Sequence, residues 1–186
     1  MRLAILLFGA FSLASVWAAE TPIARYMQHM LTAEGMEWRS PNPTYRQGGR
    51  QPVSYTITYE LDDSRQYVTG RLGGLFADGG RRNFWDIFAF YNPVTGRVTT
   101  QQVARNGSYM AGDSELQDGS SQIIDMFSYG RDGTTKLMRH DNRFLDLETH
   151  KSLVYERDKR GAWELTQTWT WRLLPTSAEP IRPASE

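Results

Sequence analysis

The chain has 186 residues, and its 21 Lys and Arg balance 21 Asp and Glu with no run of either sign, which argues against nucleic acid as a partner. It contains no cysteine, so disulfide stapling, thiolate catalysis, cysteine zinc sites and lipid attachment to a leading cysteine are excluded. Stability must come from burial, and six Trp, nine Tyr and eight Phe supply the surface for one well-packed domain.

Arg2 precedes an apolar stretch, Leu3 to Trp17, that runs into Ala18 and Ala19. This is the pattern of a secretory signal peptide over residues 1–18, with Val16 and Ala18 at the two positions where the peptidase wants compact side chains. The expected location is therefore periplasmic or secreted. The run is shorter than the ~20 apolar residues a spanning helix needs, and no second run follows, so no membrane span is expected after cleavage.

Residues 19–51 read as an N-terminal helix and loop. Pro22 sits just inside a Thr21 cap, and Ile23, Tyr26, Met27, Met30 and Leu31 recur at helical spacing, so an amphipathic helix is expected within Thr21 to Trp38, ended by Gly35. Such a helix either covers one end of a barrel or packs outside a sheet. Ser40-Pro41-Asn42-Pro43 and Gln47-Gly48-Gly49-Arg50 then read as a loop.

Strands follow from Pro52. The first places Val53, Tyr55, Ile57, Tyr59 and Leu61 on one face and turns at Asp62-Asp63-Ser64; the second, about 66–77, carries three glycines that suggest a bulge or tight bend. The third, Arg82 to Tyr91, is apolar on both faces, with the helix a candidate to cover its outer side. Asn106-Gly107 is the strongest hairpin signal, joining strands at 97–105 and 108–116; further strands span 122–129, 134–143 and 151–157. The last strand sets Trp163, Leu165, Gln167, Trp169, Trp171 and Leu173 on one face, and the tail 175–186, rich in Pro, Ser and Glu, reads as disordered. Short turns throughout predict an all-β, up-and-down antiparallel barrel of eight to ten strands over 52–174, in preference to a sandwich with long crossovers.

Several turns carry a resemblance: Tyr91-Asn92-Pro93-Val94-Thr95-Gly96 at a strand end, Asn106-Gly107, Gly112, Arg131-Asp132-Gly133 before Lys136 to Arg139, and Gly161-Ala162-Trp163 leading to Arg172. In these the chain resembles the lipocalin-like bacterial barrels of unknown function, with Asn92 where an Asp is more usual and an N-terminal proline-containing loop that has no counterpart there. The resemblance implies a calycin-type cup and no activity.

Taking the clear faces of the first and last strands as inward predicts an aromatic lumen with Tyr55, Tyr59, Trp163, Trp169 and Trp171. The third strand turns in either Phe84, Asp86, Phe88 and Phe90 or Trp85, Ile87, Ala89 and Tyr91; the strand at 122–129 turns in either Ile123, Asp125, Phe127 and Tyr129 or Ile124, Met126 and Ser128. The candidate ligand-binding set is Tyr55, Tyr59, Trp85, Asp86, Phe88, Asp125, Arg139, Trp169 and Trp171, with Arg139 paired to Asp86 or Asp125 as a polar floor.

No cofactor is expected. His29, His140 and His150 form no metal-ligand spacing, and no nucleophile elbow or phosphate loop is present. The expected function is non-catalytic binding of a small lipophilic, amphipathic or aromatic molecule. The alternatives are a module that docks an envelope protein through the Gly48 to Arg50 loop or the third strand, and a barrel cyclase or isomerase using one aromatic-lined carboxylate.

Overall fold

The computed structural model describes residues 21–115 and 121–180, so the expected signal peptide lies outside the described residues. A short helix, α1 (Pro22–Met27), precedes ten strands: β1 (Met36–Pro41), β2 (Ser54–Leu61), β3 (Tyr67–Leu75), β4 (Arg81–Asn92), β5 (Arg97–Ala104), β6 (Tyr109–Glu115), β7 (Ser121–Tyr129), β8 (Thr135–Phe144), β9 (Thr149–Arg157) and β10 (Trp163–Pro175). Each pairs antiparallel with its sequence neighbours, and β1 also pairs with β10, closing an up-and-down barrel. Closure leaves no unpaired sheet edge among these strands.

The turns behave as their residues dictate. Gly107 adopts φ 89°, the left-handed geometry of the tight β5–β6 hairpin. Gly112 is needed for a different reason: a Cβ there would lie 1.9 Å from the Asp125 carbonyl oxygen on β7, so only hydrogen lets these backbones approach.

Two segments depart from the sequence reading. The helix is shorter than expected, and Met36 to Pro41 forms β1 where helix end and loop were predicted. Trp38 turns inward there and donates its indole N–H to the Met30 carbonyl at 2.9 Å, while Glu37 and Arg39 turn outward. The prolines that read as loop punctuation stand at the strand's end, where a missing donor costs little.

The second departure is the last residue of β10 and the chain that follows it. Pro175, Thr176, Ala178 and Glu179, assigned above to a disordered tail, all turn carbonyls onto Arg39. The fifth donor, Arg39 Nε–H, goes to Glu37, so every guanidinium N–H of this fully buried cation has an acceptor. Arg81 donates to the same carboxylate and to the Thr176 carbonyl. Burial of charge is tolerated because its hydrogen bonds are complete, and the cluster ties the end of the chain to the closing strand.

The helix enters one end of the barrel rather than lying outside it. Ile23, Tyr26, Met27 and Met30 join Trp38, Ile57, Tyr59, Val68 and Trp171 in the main core. Tyr26 shares a 2.6 Å hydrogen bond with Ser114 on β6, and Gln122 on β7 donates to its backbone carbonyl. The outer side of β4 is consequently left without the expected cover, and Phe88, 37% exposed, packs on its neighbours Tyr67 and Phe90.

Candidate functional site

Above the plug lies a cavity of about 400 Å³, within the range of small-molecule sites. Its wall has two halves. On β2, β3, β4 and β10 it is aromatic and aliphatic: Tyr55, Ile57, Leu72, Trp85, Trp169 and Trp171 are typical. On β5, β7, β8 and β9 it is studded with neutral hydrogen-bonding groups: Thr100, Gln102, Ser128, His140, Asn142 and Ser152. No Asp, Glu, Lys or Arg lines it among the described residues.

The aromatic half is one continuous stack. Tyr55 meets Phe84 at 6.3 Å and Trp169 at 5.0 Å, both edge-on; Trp169 lies 6.2 Å from Trp171, which stacks on His150 at 6.0 Å. Such pairs hold one another's rotamers, so this wall is pre-shaped. At the end away from the helix the lining residue Gln167 is exposed, and there the cavity reaches solvent.

Two histidines mark the lumen, His150 fully buried and His140 half-buried. His140 on β8 sits between Ile124 and Val154 on the flanking strands, and its Nε2 has no hydrogen-bond partner. Desolvation pushes its pKa down to about 4, so the ring is neutral near pH 7. His150, fully buried among Trp38, Phe144 and Trp171, leaves both ring nitrogens unpaired and is likewise pushed down to about 4 by desolvation. Burial similarly raises the Tyr26 hydroxyl to about 12, against the opposing effect of Ser114. Among the described residues no three His, Asp or Glu side chains converge as a metal site would need.

Of the sequence-nominated residues, Tyr55, Tyr59, Trp85, Trp169 and Trp171 line the cavity. Asp86, Phe88, Asp125 and Arg139 do not: strand parity places them on the outer face. On β4 the inward phase is Trp85, Ile87 and Ala89, which sends Asp86 and Phe88 outward. On β7 it is Ile124, Met126 and Ser128, which sends Asp125 outward. Arg139 does pair with Asp125, through two bonds of 2.6 and 2.7 Å, but opposite His140 and therefore outside the barrel.

Trp163 is also a correction. Its ring lies outside, under the Arg139 guanidinium at 4.5 Å, because Thr166 forms a bulge between Leu165 and Gln167 that reverses the phase of β10. Leu165 is accordingly exposed, while Gln167, Trp169 and Trp171 face in. A second bulge at Phe84, opposite Leu72 and Gly73, turns both Phe84 and Trp85 toward the aromatic wall. Alternation alone cannot register an inserted residue, which is why these positions were misphased or left open.

The lumen histidines were missed as a pair, since His140 and His150 are ten positions apart on different strands. Their signal was parity: each shares a phase with inward apolar neighbours on its own strand. The outer surface carries the charge instead, in pairs such as Arg97–Glu115, Arg105–Asp86, Lys136–Glu156 and Arg143–Asp141. Charged groups outside and an uncharged lumen reverse the polarity of a membrane-spanning barrel. No protein-family model matches the chain, and no curated protein proves similar to it.

Proposed function

We propose that this chain is a lipocalin-like, exported carrier that holds one small amphipathic or aromatic molecule in its lumen. The observation that carries the reading is the two-sided cavity, with the unpartnered His140 Nε2 on its polar half. A purely aliphatic guest would leave His140 Nε2 without a partner, whereas a ring system bearing a hydroxyl satisfies both walls at once. An uncharged wall favours a guest whose inserted part is neutral, because a charge would be stripped of water without compensation.

The test uses N-phenyl-1-naphthylamine, a neutral aromatic probe. It should brighten and quench tryptophan emission on titration, and Trp169→Ala, which removes a central ring of the wall, should weaken it about tenfold, roughly 1.4 kcal/mol. Native mass spectrometry after mild purification should show a retained small-molecule adduct. No probe uptake, together with no adduct, removes the reading.

A second reading, docking of an envelope protein, is favoured by one outer patch: Tyr109 stacks on Tyr129, and Phe127 beside it is 50% exposed. Phe127→Lys should abolish recovery of a partner from an envelope extract if that patch is used.

A further inference from the structure

In a meander barrel every second turn falls at the same end, so the turns form two rings, and here the rings differ in charge. The connections at the end away from the helix carry Arg46, Arg50, Arg105, Arg131, Lys159 and Arg160. Arg81, Arg82, Lys136 and Arg157 flank them on the strand ends, as Arg97, Arg143, Lys151 and Arg172 flank the connections at the helix end, so the difference lies in the connections themselves. The connections at the helix end carry Glu34, Asp62, Asp63, Asp146 and Glu148 against Arg65, with Arg25 beside them on α1, among the described residues.

The acids at the mouth are occupied. Asp78, Asp132 and Asp158 fold back onto their own turns, accepting from the N–H of Gly80, Thr134 and Ala162 respectively. Hydrogen bonds from Thr134 and Ala162 hold the Asp132 and Asp158 carboxyls below the usual range, so both remain charged and committed. Glu156 is taken by Lys136 and Asp86 by Arg105, leaving Glu164 as an exposed acid near the rim. Arg46, Arg50, Arg131 and Lys159 are exposed and have no ion-pair partner among the described residues. The six cations of these connections still outnumber their three aspartates, and a net positive rim around a concave, low-dielectric opening focuses its field there.

Resting on the carrier reading above, we infer that the natural ligand is an anionic amphiphile. Its carboxylate or phosphate head is held at the mouth by this ring, and its neutral body enters the lumen. The two observations divide the molecule between them. The uncharged wall rejects a buried head, and the cationic rim offers the head a partly hydrated position beside several guanidinium groups that suit carboxylate or phosphate. The orientation is body first, with the head nearest Gln167, the exposed lining residue.

The test compares probes of one chain length on the intact protein by tryptophan quenching: decanoate, decyl phosphate, decanol and decyltrimethylammonium, with inorganic phosphate as competitor. At low salt the two anionic probes should bind about tenfold tighter than decanol, and the gap should close near 1 M salt, where screening shortens to about 3 Å. The triple variant Arg131→Glu, Lys159→Glu, Arg160→Glu should reduce the anionic-to-neutral affinity ratio about tenfold, with circular dichroism confirming that it is folded. Decanol binding as tightly as decanoate, or the cationic probe binding better, overturns the anionic head and leaves the carrier reading intact. Displacement of decanoate by inorganic phosphate at equal concentration overturns the body-first insertion. Failure of every decyl probe to quench, alongside failure of the neutral aromatic probe, brings down the carrier reading itself.

Discussion

The two ends of the barrel are made from similar turns and do opposite work. At the helix end Trp38, Tyr26, Ile23 and Trp171 are almost wholly buried, with Tyr26 hydrogen-bonded to Ser114 and Trp38 to the Met30 carbonyl. At the mouth Trp85, Trp169 and Gln167 remain partly accessible around a cavity that side chains do not fill. The helix accounts for much of the difference, because its Ile23, Tyr26 and Met27, with Met30 just beyond it, fill the core at one end while no comparable segment enters the other among the described residues. Stability is concentrated where packing is complete, and adaptability where it is not, which is the usual division between scaffold and binding site.

Substitutions should separate the ends by size of effect. The largest is expected on the closing strand, where Arg39→Ala leaves Glu37 buried without its nearest cation and frees four backbone carbonyls. Chemical denaturation should show a loss of about 3–5 kcal/mol. A near-wild-type midpoint for this variant would mean that the chain's end is not held as described.

Acid should weaken the lumen wall next. His140 and His150 titrate at 6.5 when unfolded but near 4 when folded, so the folded state refuses protons that the unfolded chain accepts. Their contribution is therefore complete above pH 6.5 and lost as pH falls toward 4, up to about 3 kcal/mol for each ring. Denaturation midpoints across that window should decline, and His150→Phe should flatten the decline; an equally steep slope in the variant would place the acid sensitivity elsewhere.

Tyr26→Phe tests the plug more finely. It removes only the hydroxyl that meets Ser114, for a cost of about 1 kcal/mol in the same denaturation assay. At the mouth, Arg131→Ser and Lys159→Ser, exposed and without ion-pair partners among the described residues, should each shift stability by less than about 0.5 kcal/mol. A mouth substitution as costly as Tyr26→Phe would erase the contrast between the ends.

Much of this fold could be read along the chain. Period-two alternation from Val53 onward and the Asn106-Gly107 hairpin specify a meander, and Tyr55, Ile57 and Tyr59 show their inward phase directly because Thr56 and Thr58 contrast with them. β4 gave no such contrast: Phe84 to Tyr91 is apolar on both sides, so only pairing with β3 and β5 separates Trp85 from Asp86. β10 misled in the other direction, since its alternation is unbroken in sequence while Thr166 breaks it in space. β1 was hidden because a six-residue strand followed by prolines carries almost no local signal, and only its two partners define it.

The sequence by itself therefore determined an antiparallel closed sheet, aromatic content enough to line it, and turns such as Asn92 to Gly96, Asn106-Gly107 and Asp158 to Gly161, because these depend on neighbours a few residues apart. Tertiary structure alone decided which side of each ambiguous strand faces the lumen, since that follows from bulges and cross-strand register. It also decided where charge resides: a chain whose formal charges cancel still carries an excess of cations in the connections at one end and an excess of anions in those at the other, among the described residues, because consecutive turns of a meander lie at opposite ends.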